Sequence, residues 1–158
     1  MVSYMKRGES LALPPGGFEE ATLSCPDQDR VFVKKRYGFV RLCIQHGIPI
    51  RPVYVFGEKG LYWNIQGAWD VRLAMNKNGF PAILTWGHPL FPLMPRHDVD
   101  LKIVVGAPMA VPKVEDPSKE VVKQWHDKYM AALTKLFEDH KEAVYGSEAA
   151  KTAKLEVW

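Results

Sequence analysis

Paired cysteine is the first thing this sequence lacks. Cys25 and Cys43 stand apart, with no Cys-x-x-Cys spacing. Two isolated thiols make neither a disulfide framework nor a thiolate zinc site, so a reducing compartment is the expected setting. Also missing are a G-x-x-x-x-G-K-[ST] phosphate loop, a G-x-G-x-x-G fingerprint and a G-x-S-x-G elbow. Their absence sets aside P-loop nucleotide hydrolysis, classical dinucleotide binding and α/β-hydrolase chemistry. The five histidines, His46, His88, His97, His126 and His140, have no zinc-like spacing to one another or to cysteine. His97-Asp98-Val99-Asp100 has the residue types of a hard-cation site but too few convergent oxygens. No metal and no cofactor are expected.

Strong charge of one sign is lacking as well. A net charge of +3 gives no reason to expect a nucleic-acid partner. The opening MVSYMKRGES has no apolar core of the signal-peptide kind. The longest uncharged run, Asn78 to Pro95, is interrupted by Pro81, Pro89, Pro92 and Pro95. It therefore makes no continuous membrane-spanning helix. What remains is 158 residues that are 47% hydrophobic and 25% charged, the material of one globular domain with a real core.

Several elements can be read along the chain. Leu11-Ala12-Leu13 is apolar and stops at Pro14-Pro15-Gly16-Gly17, as a strand entering a tight turn would. Phe18 to Ala21 follows as a loop or one helical turn. Val31-Phe32-Val33 is a second strand candidate. Phe39 to His46 reads as a helix closed by Gly47, with His46 in a structural place at its C-terminal end. Ile50 to Phe56 and Leu101 to Val105 read as strands, Pro52 putting the former at an edge or marking its start. Residues 58–77 are open between helix and strand. Val122, Trp125, Tyr129, Ala132, Leu133, Leu136 and Phe137 recur in steps of three and four. They define one face of a long helix, capped by Asp116 or Ser118 and ended by Gly146. This order predicts an α/β fold, a mixed sheet flanked by helices.

Three segments carry chemistry. In Pro15-Gly16-Gly17-Phe18-Glu19-Glu20 the glycines permit close backbone approach to a ligand, and the acids can orient a basic group; spacing alone favours a tight turn with solvated acids. Arg30, Lys34, Lys35, Arg36 and Arg41 form a basic run that no acid interrupts. It suits phosphates, or else a solvated strand end and helix start. Phe80 to Gly87, continuing through Phe91, Leu93 and Met94, is apolar without periodicity. It could line an acyl channel, sit at a lipid interface, or form an irregular core loop.

Taken together, these stretches resemble the type-2 diacylglycerol acyltransferase family. The likeness rests on Pro15-Gly16-Gly17-Phe18-Glu19-Glu20, Arg36-Tyr37-Gly38-Phe39, His46-Gly47, and Pro52 through Phe56-Gly57-Glu58. It continues in Val104-Val105-Gly106-Ala107-Pro108 and in the helix bearing His126, Tyr129, Leu133, Leu136, Phe137, His140 and Lys141. No single motif is specific; their order and spacing are. The resemblance implies that residues 1–158 are the C-terminal portion of one acyltransferase domain. The fold would resemble the C-terminal part of the glycerolipid acyltransferases. The reaction would move a fatty acyl group from acyl-CoA, a substrate and not a cofactor, to diacylglycerol. A monoacylglycerol or a wax alcohol is the alternative acceptor, and a non-catalytic module binding acyl-CoA or anionic lipid is the alternative role.

By the same resemblance, Glu20 supports the catalytic histidine or the acceptor. The N–H groups of Gly16 and Gly17 face the oxyanion. Lys34, Lys35 and Arg36 meet the coenzyme A phosphates, and Gly38 belongs to the same binding segment. The family's His-Pro-His-Gly motif and N-terminal membrane anchor are not in this sequence, and no histidine here has an aspartate five positions on. The chain alone is therefore expected to be incomplete or inactive. The resemblance also implies the cytosolic face of the endoplasmic reticulum membrane, contact with a membrane surface or lipid droplet, and possible homo-oligomers.

Overall fold

The structure is a computed structural model and describes residues 2–158. Its helices are α1 (Val2–Lys6), α2 (Gly17–Leu23), α3 (Gly38–His46), α4 (Trp69–Lys77), α5 (Lys119–Tyr145) and α6 (Ser147–Thr152). Its strands are β1 (Asp29–Val31), β2 (Val53–Phe56), β3 (Trp63–Asn64), β4 (Thr85–Trp86), β5 (Lys102–Val105) and β6 (Leu155–Val157). The class is α/β, as the sequence predicts. Among the described residues the strands lie in three two-stranded ladders: β1 parallel to β6, and β2–β5 and β3–β4 antiparallel.

The spine is α5. Ser118 caps it, its side-chain oxygen accepting the Val121 N–H, and the pairs Lys123–Asp127 and Lys135–Asp139 support its outer face at i,i+4 spacing. Val122, Tyr129, Leu133, Leu136 and Phe137 are buried on the predicted stripe, while Trp125 is only partly buried. Against this stripe lies the β2–β5 ladder, where Val53 pairs with Val105 and Phe56 with Lys102. The alternation of a strand sends Tyr54 and Phe56 inward. Phe56 stacks on Phe137 at 5.4 Å between ring centroids. The opposite face of the ladder leaves Val53, Ile103 and Val105 exposed.

The Val40 and Ile44 side chains of α3 complete the core. Gly47 ends that helix in the left-handed region at φ 65°, its N–H returning to the Cys43 carbonyl, as the sequence predicts. Residues 58–77, open between helix and strand in the sequence, hold a 3-10 turn over Glu58–Gly60, then β3 and α4.

Three sequence expectations are corrected. Leu11-Ala12-Leu13 is not a strand: Leu11 and Leu13 are exposed and have no ladder partner. An apolar triplet outside any sheet has nothing to pair its backbone with. Phe18 to Ala21 is more than a turn, being the middle of α2. The strand expected at Val31–Val33 is shifted, and β1 begins at Asp29. Its partner β6, at the C-terminal Leu-Glu-Val, is an element the sequence reading missed.

Candidate functional site

The glycine pair and the basic run, 13 or more residues apart in sequence, come together. Gly16 caps α2 with an ordinary helical φ of −71°, whereas Gly17 is left-handed at φ 64°. Space, not φ, requires glycine at position 16. A Cβ there would overlap Glu20, because the Glu20 side chain folds back over the bare Cα. From that position Glu20 Oε2 accepts the Phe32 N–H at 2.7 Å.

Glu19 makes a second clasp. Its carboxylate meets Arg36 Nη2 at 2.6 Å, and the same nitrogen donates to the Gly16 carbonyl at 3.2 Å. The Arg36 guanidinium lies over the Phe32 ring at 5.0 Å. The acids of α2 thus hold the loop that carries Lys34 and Lys35. We expect Gly16→Ala to displace Glu20 and cost about 1–3 kcal/mol, the usual range for an inserted methyl without room. Chemical denaturation measures it, and a neutral result would show that the backbone at the start of α2 shifts to make room, since rotation of the Glu20 side chain cannot move its Cβ.

Burial raises the Glu20 carboxyl above the ordinary glutamate range. The Phe32 N–H pulls it back, the Glu58 charge raises it further, and Arg36 lowers it. The Tyr129 hydroxyl is pushed up to about 12, mostly by burial and partly by the Glu20 charge. A partly buried carboxyl, a charge-paired guanidinium and a buried phenol therefore share one neighbourhood.

The other flank of the loop rests on His126, which is fully buried. Its Nε2 lies 2.9 Å from the Val33 carbonyl. A carbonyl only accepts, so Nε2 carries the proton. Burial lowers the pKa of the imidazole, which favours the neutral form. The ring lies 4.5 Å from that of Tyr37. Val33 and Lys34 donate backbone N–H bonds to the Trp158 carbonyl at 3.1 and 2.7 Å. His126 is thus a brace, and its importance to the loop was missed in the sequence. Its place between Val122 and Tyr129 on the α5 stripe was the available signal.

The five-residue basic run does not survive as one patch. Arg30 pairs with Glu156 at 2.7 Å, Arg41 with Asp116 at 2.9 Å and Arg36 with Glu19. Lys34 and Lys35 are exposed and have no ion pair among the described residues. Lys34 borders a shallow depression with Asp127, Met130 and Val157. Gly38 starts α3 directly after this loop, and that helix has no acid in its first turn and no side-chain cap.

Among the described residues no histidine is hydrogen-bonded to a carboxylate. His140 Nδ1 lies 2.9 Å from the Leu136 carbonyl, and His46 is at the end of α3. Asp98 is engaged by Arg96, and no cluster of three or more metal-ligating side chains occurs among the described residues. No helix there is long and apolar enough to cross a membrane.

The chain has counterparts among known sequences. A family model described as diacylglycerol acyltransferase matches residues 1–157. The chain belongs to the diacylglycerol acyltransferase family. Relatives include human 2-acylglycerol O-acyltransferase 3, 36% identical over 154 aligned positions, covering 90% of this chain and 45% of the relative. Human acyl-CoA wax alcohol acyltransferase 2 is 32% identical, covering 99% of this chain and 49% of the relative. Mouse diacylglycerol O-acyltransferase 2 is 35% identical, covering 89% and 39%. The chain thus spans less than half the length of these curated relatives. No solved structure matches it.

Proposed function

We propose that this family member supplies the acyl-CoA-binding part of an enzyme that transfers a fatty acyl group to diacylglycerol, forming triacylglycerol. The observation that carries this reading is the clasped loop. Glu19 and Glu20 hold Arg36 and the Phe32 backbone, and this leaves Lys34 and Lys35 turned to solvent beside the uncapped start of α3. Two ammonium groups on an immobilised loop suit the phosphates of coenzyme A.

The reaction needs a base to take the acceptor hydroxyl proton as its oxygen attacks the thioester carbonyl. The tetrahedral oxyanion then collapses with loss of the coenzyme A thiolate, which takes up a proton. We assign the base to the family's His-Pro-His-Gly segment, which this sequence does not contain. Glu20, partly buried beside Gly16, is assigned to hold that histidine or the acceptor, with the Gly16 and Gly17 N–H groups near the oxyanion. The setting in this proposal is the cytosolic face of the endoplasmic reticulum or a lipid droplet surface.

The test is transfer of labelled acyl groups from acyl-CoA in microsomes, comparing this chain with the same chain extended upstream through His-Pro-His-Gly. Only the extended form should turn over. In it, Lys34→Ala/Lys35→Ala should raise KM for acyl-CoA about 5–30-fold, the worth of one or two charge-assisted contacts, and Glu20→Ala should lower kcat. Equal KM and kcat in these variants would overturn the assignments. Activity in the short form would move the base into this chain. Competition among diacylglycerol, monoacylglycerol and a fatty alcohol identifies the acceptor.

A further inference from the structure

The uncharged run Asn78–Pro95 is neither a channel nor a core loop along its second half. After β4 the chain turns through Gly87 to Pro95, and the apolar side chains there point away from the molecule. Leu93 is 90% exposed and Leu90 78%, with Phe91 and Met94 exposed beside them. We propose that this turn is a wedge that inserts into the interfacial zone of a phospholipid bilayer.

Three observations favour a lipid surface over a protein partner. The tip is convex: side chains exposed to this degree line no groove into which a partner's ridge could fit, whereas hydrocarbon conforms to any shape. The polarity is graded. Phe91 lies 6.0 Å from His88, which lies 6.1 Å from His97. Behind them stand Trp86, paired with Trp63 at 6.3 Å, and Arg96 over the Trp63 ring at 4.6 Å. An apolar tip, then imidazole and indole, then guanidinium is the sequence of environments met from acyl chains through headgroups to water.

The third observation is the backbone. A segment entering hydrocarbon must satisfy its own polar groups. Here Gly87 N–H bonds the Pro92 carbonyl at 2.9 Å, His88 N–H the Met94 carbonyl at 3.0 Å and Met94 N–H the Phe91 carbonyl at 2.8 Å. The Leu90 N–H reaches His88 Nδ1 at 3.2 Å, and the Tyr62 hydroxyl donates to the Leu93 carbonyl at 3.2 Å. Pro89, Pro92 and Pro95 have no N–H to satisfy, and the N–H groups of Phe91 and Leu93, which have no partner within the turn, restrict the tip to the hydrated interfacial zone rather than the hydrocarbon core. The prolines that prevent a spanning helix thus also make the turn fit to enter an interface.

The proposal goes beyond acyl transfer, and its test needs no turnover. The chain is sedimented with phosphatidylcholine vesicles, using Phe91→Asp/Leu93→Asp and, as a comparison on the exposed sheet face, Ile103→Asp. Phe91→Asp/Leu93→Asp should lower partitioning at least tenfold, with unchanged circular dichroism, while Ile103→Asp binds like the parent. Vesicles with brominated acyl chains should quench tryptophan fluorescence in the parent, and Trp86→Phe should remove much of that quenching, a readout that leaves the tip intact. The proposal is overturned if Phe91→Asp/Leu93→Asp binds normally or if Ile103→Asp loses binding equally. Binding that requires phosphatidylserine and disappears in Lys34→Ala/Lys35→Ala would also overturn it, as would pelleting without vesicles.

Discussion

Asp29→Ala should lower the unfolding free energy by about 3–5 kcal/mol, the range for removing one partner of a buried ion pair. The Asp29 side chain is 2% exposed. Its Oδ1 accepts the Tyr54 hydroxyl at 2.9 Å and the Tyr145 hydroxyl at 2.7 Å, while Oδ2 meets Lys59 Nζ at 2.7 Å. One carboxylate therefore ties β1 to β2, to the 3-10 turn after β2 and to the last turn of α5. Alanine leaves an ammonium and two phenols without their acceptor, each at a desolvation cost. Against the total stability of a small domain, about 5–15 kcal/mol, the loss is a large share. Because β1 leads directly into the Lys34–Lys35 loop, the loop should loosen as well. Urea denaturation at neutral pH reads the effect; a loss below about 1 kcal/mol would show that water replaces the carboxylate at little cost. Tyr145→Phe removes a single hydroxyl bond and should cost only about 1 kcal/mol.

The sequence reading did well wherever the signal was local. The length of α5 repeats its apolar period over many turns, Gly47 marks the end of α3, and the β-branched runs of β2 and β5 have few alternative conformations. It did less well where the deciding partner was distant. Arg30, Arg36 and Arg41 read with Lys34 and Lys35 as one basic patch, but their carboxylates come from residues 156, 19 and 116. Charge counted along a chain cannot show this pairing. Leu11–Leu13 looked like a strand because apolarity was taken for pairing. The glycine pair was read as a turn after that strand, and this hid α2, whose capping Gly16 is glycine for the sake of Glu20. Asp29 carried no signal: its partners lie 25, 30 and 116 residues away.

The hydroxyls that surround Asp29 also set a limit on alkaline stability. Burial, then the Asp29 charge and hydrogen bond, push the Tyr54 phenol far above the ordinary tyrosine range. Tyr145 is raised by burial and by its hydrogen bond to Asp29, and Tyr129 is raised to about 12. A raised pKa means that the folded chain keeps protons that the unfolded chain, with phenols near pH 10, has already released. The stabilisation is complete below pH ~10 and is lost as pH rises toward the folded values. Each such phenol contributes about 1.4 kcal/mol per pH unit, so three acting together give a slope of about 4 kcal/mol per unit. The fold should therefore collapse cooperatively between about pH 10 and 12, with tyrosinate absorbance rising at the same pH as the loss of helix. Tyr54→Phe removes one titrating group and should reduce the slope by about a third, even as it lowers stability at neutral pH. Reversible titration of Tyr54, Tyr129 and Tyr145 themselves near pH 10, with the helices intact, would mean that these three are open to water, and that the Asp29 network is looser than its distances imply.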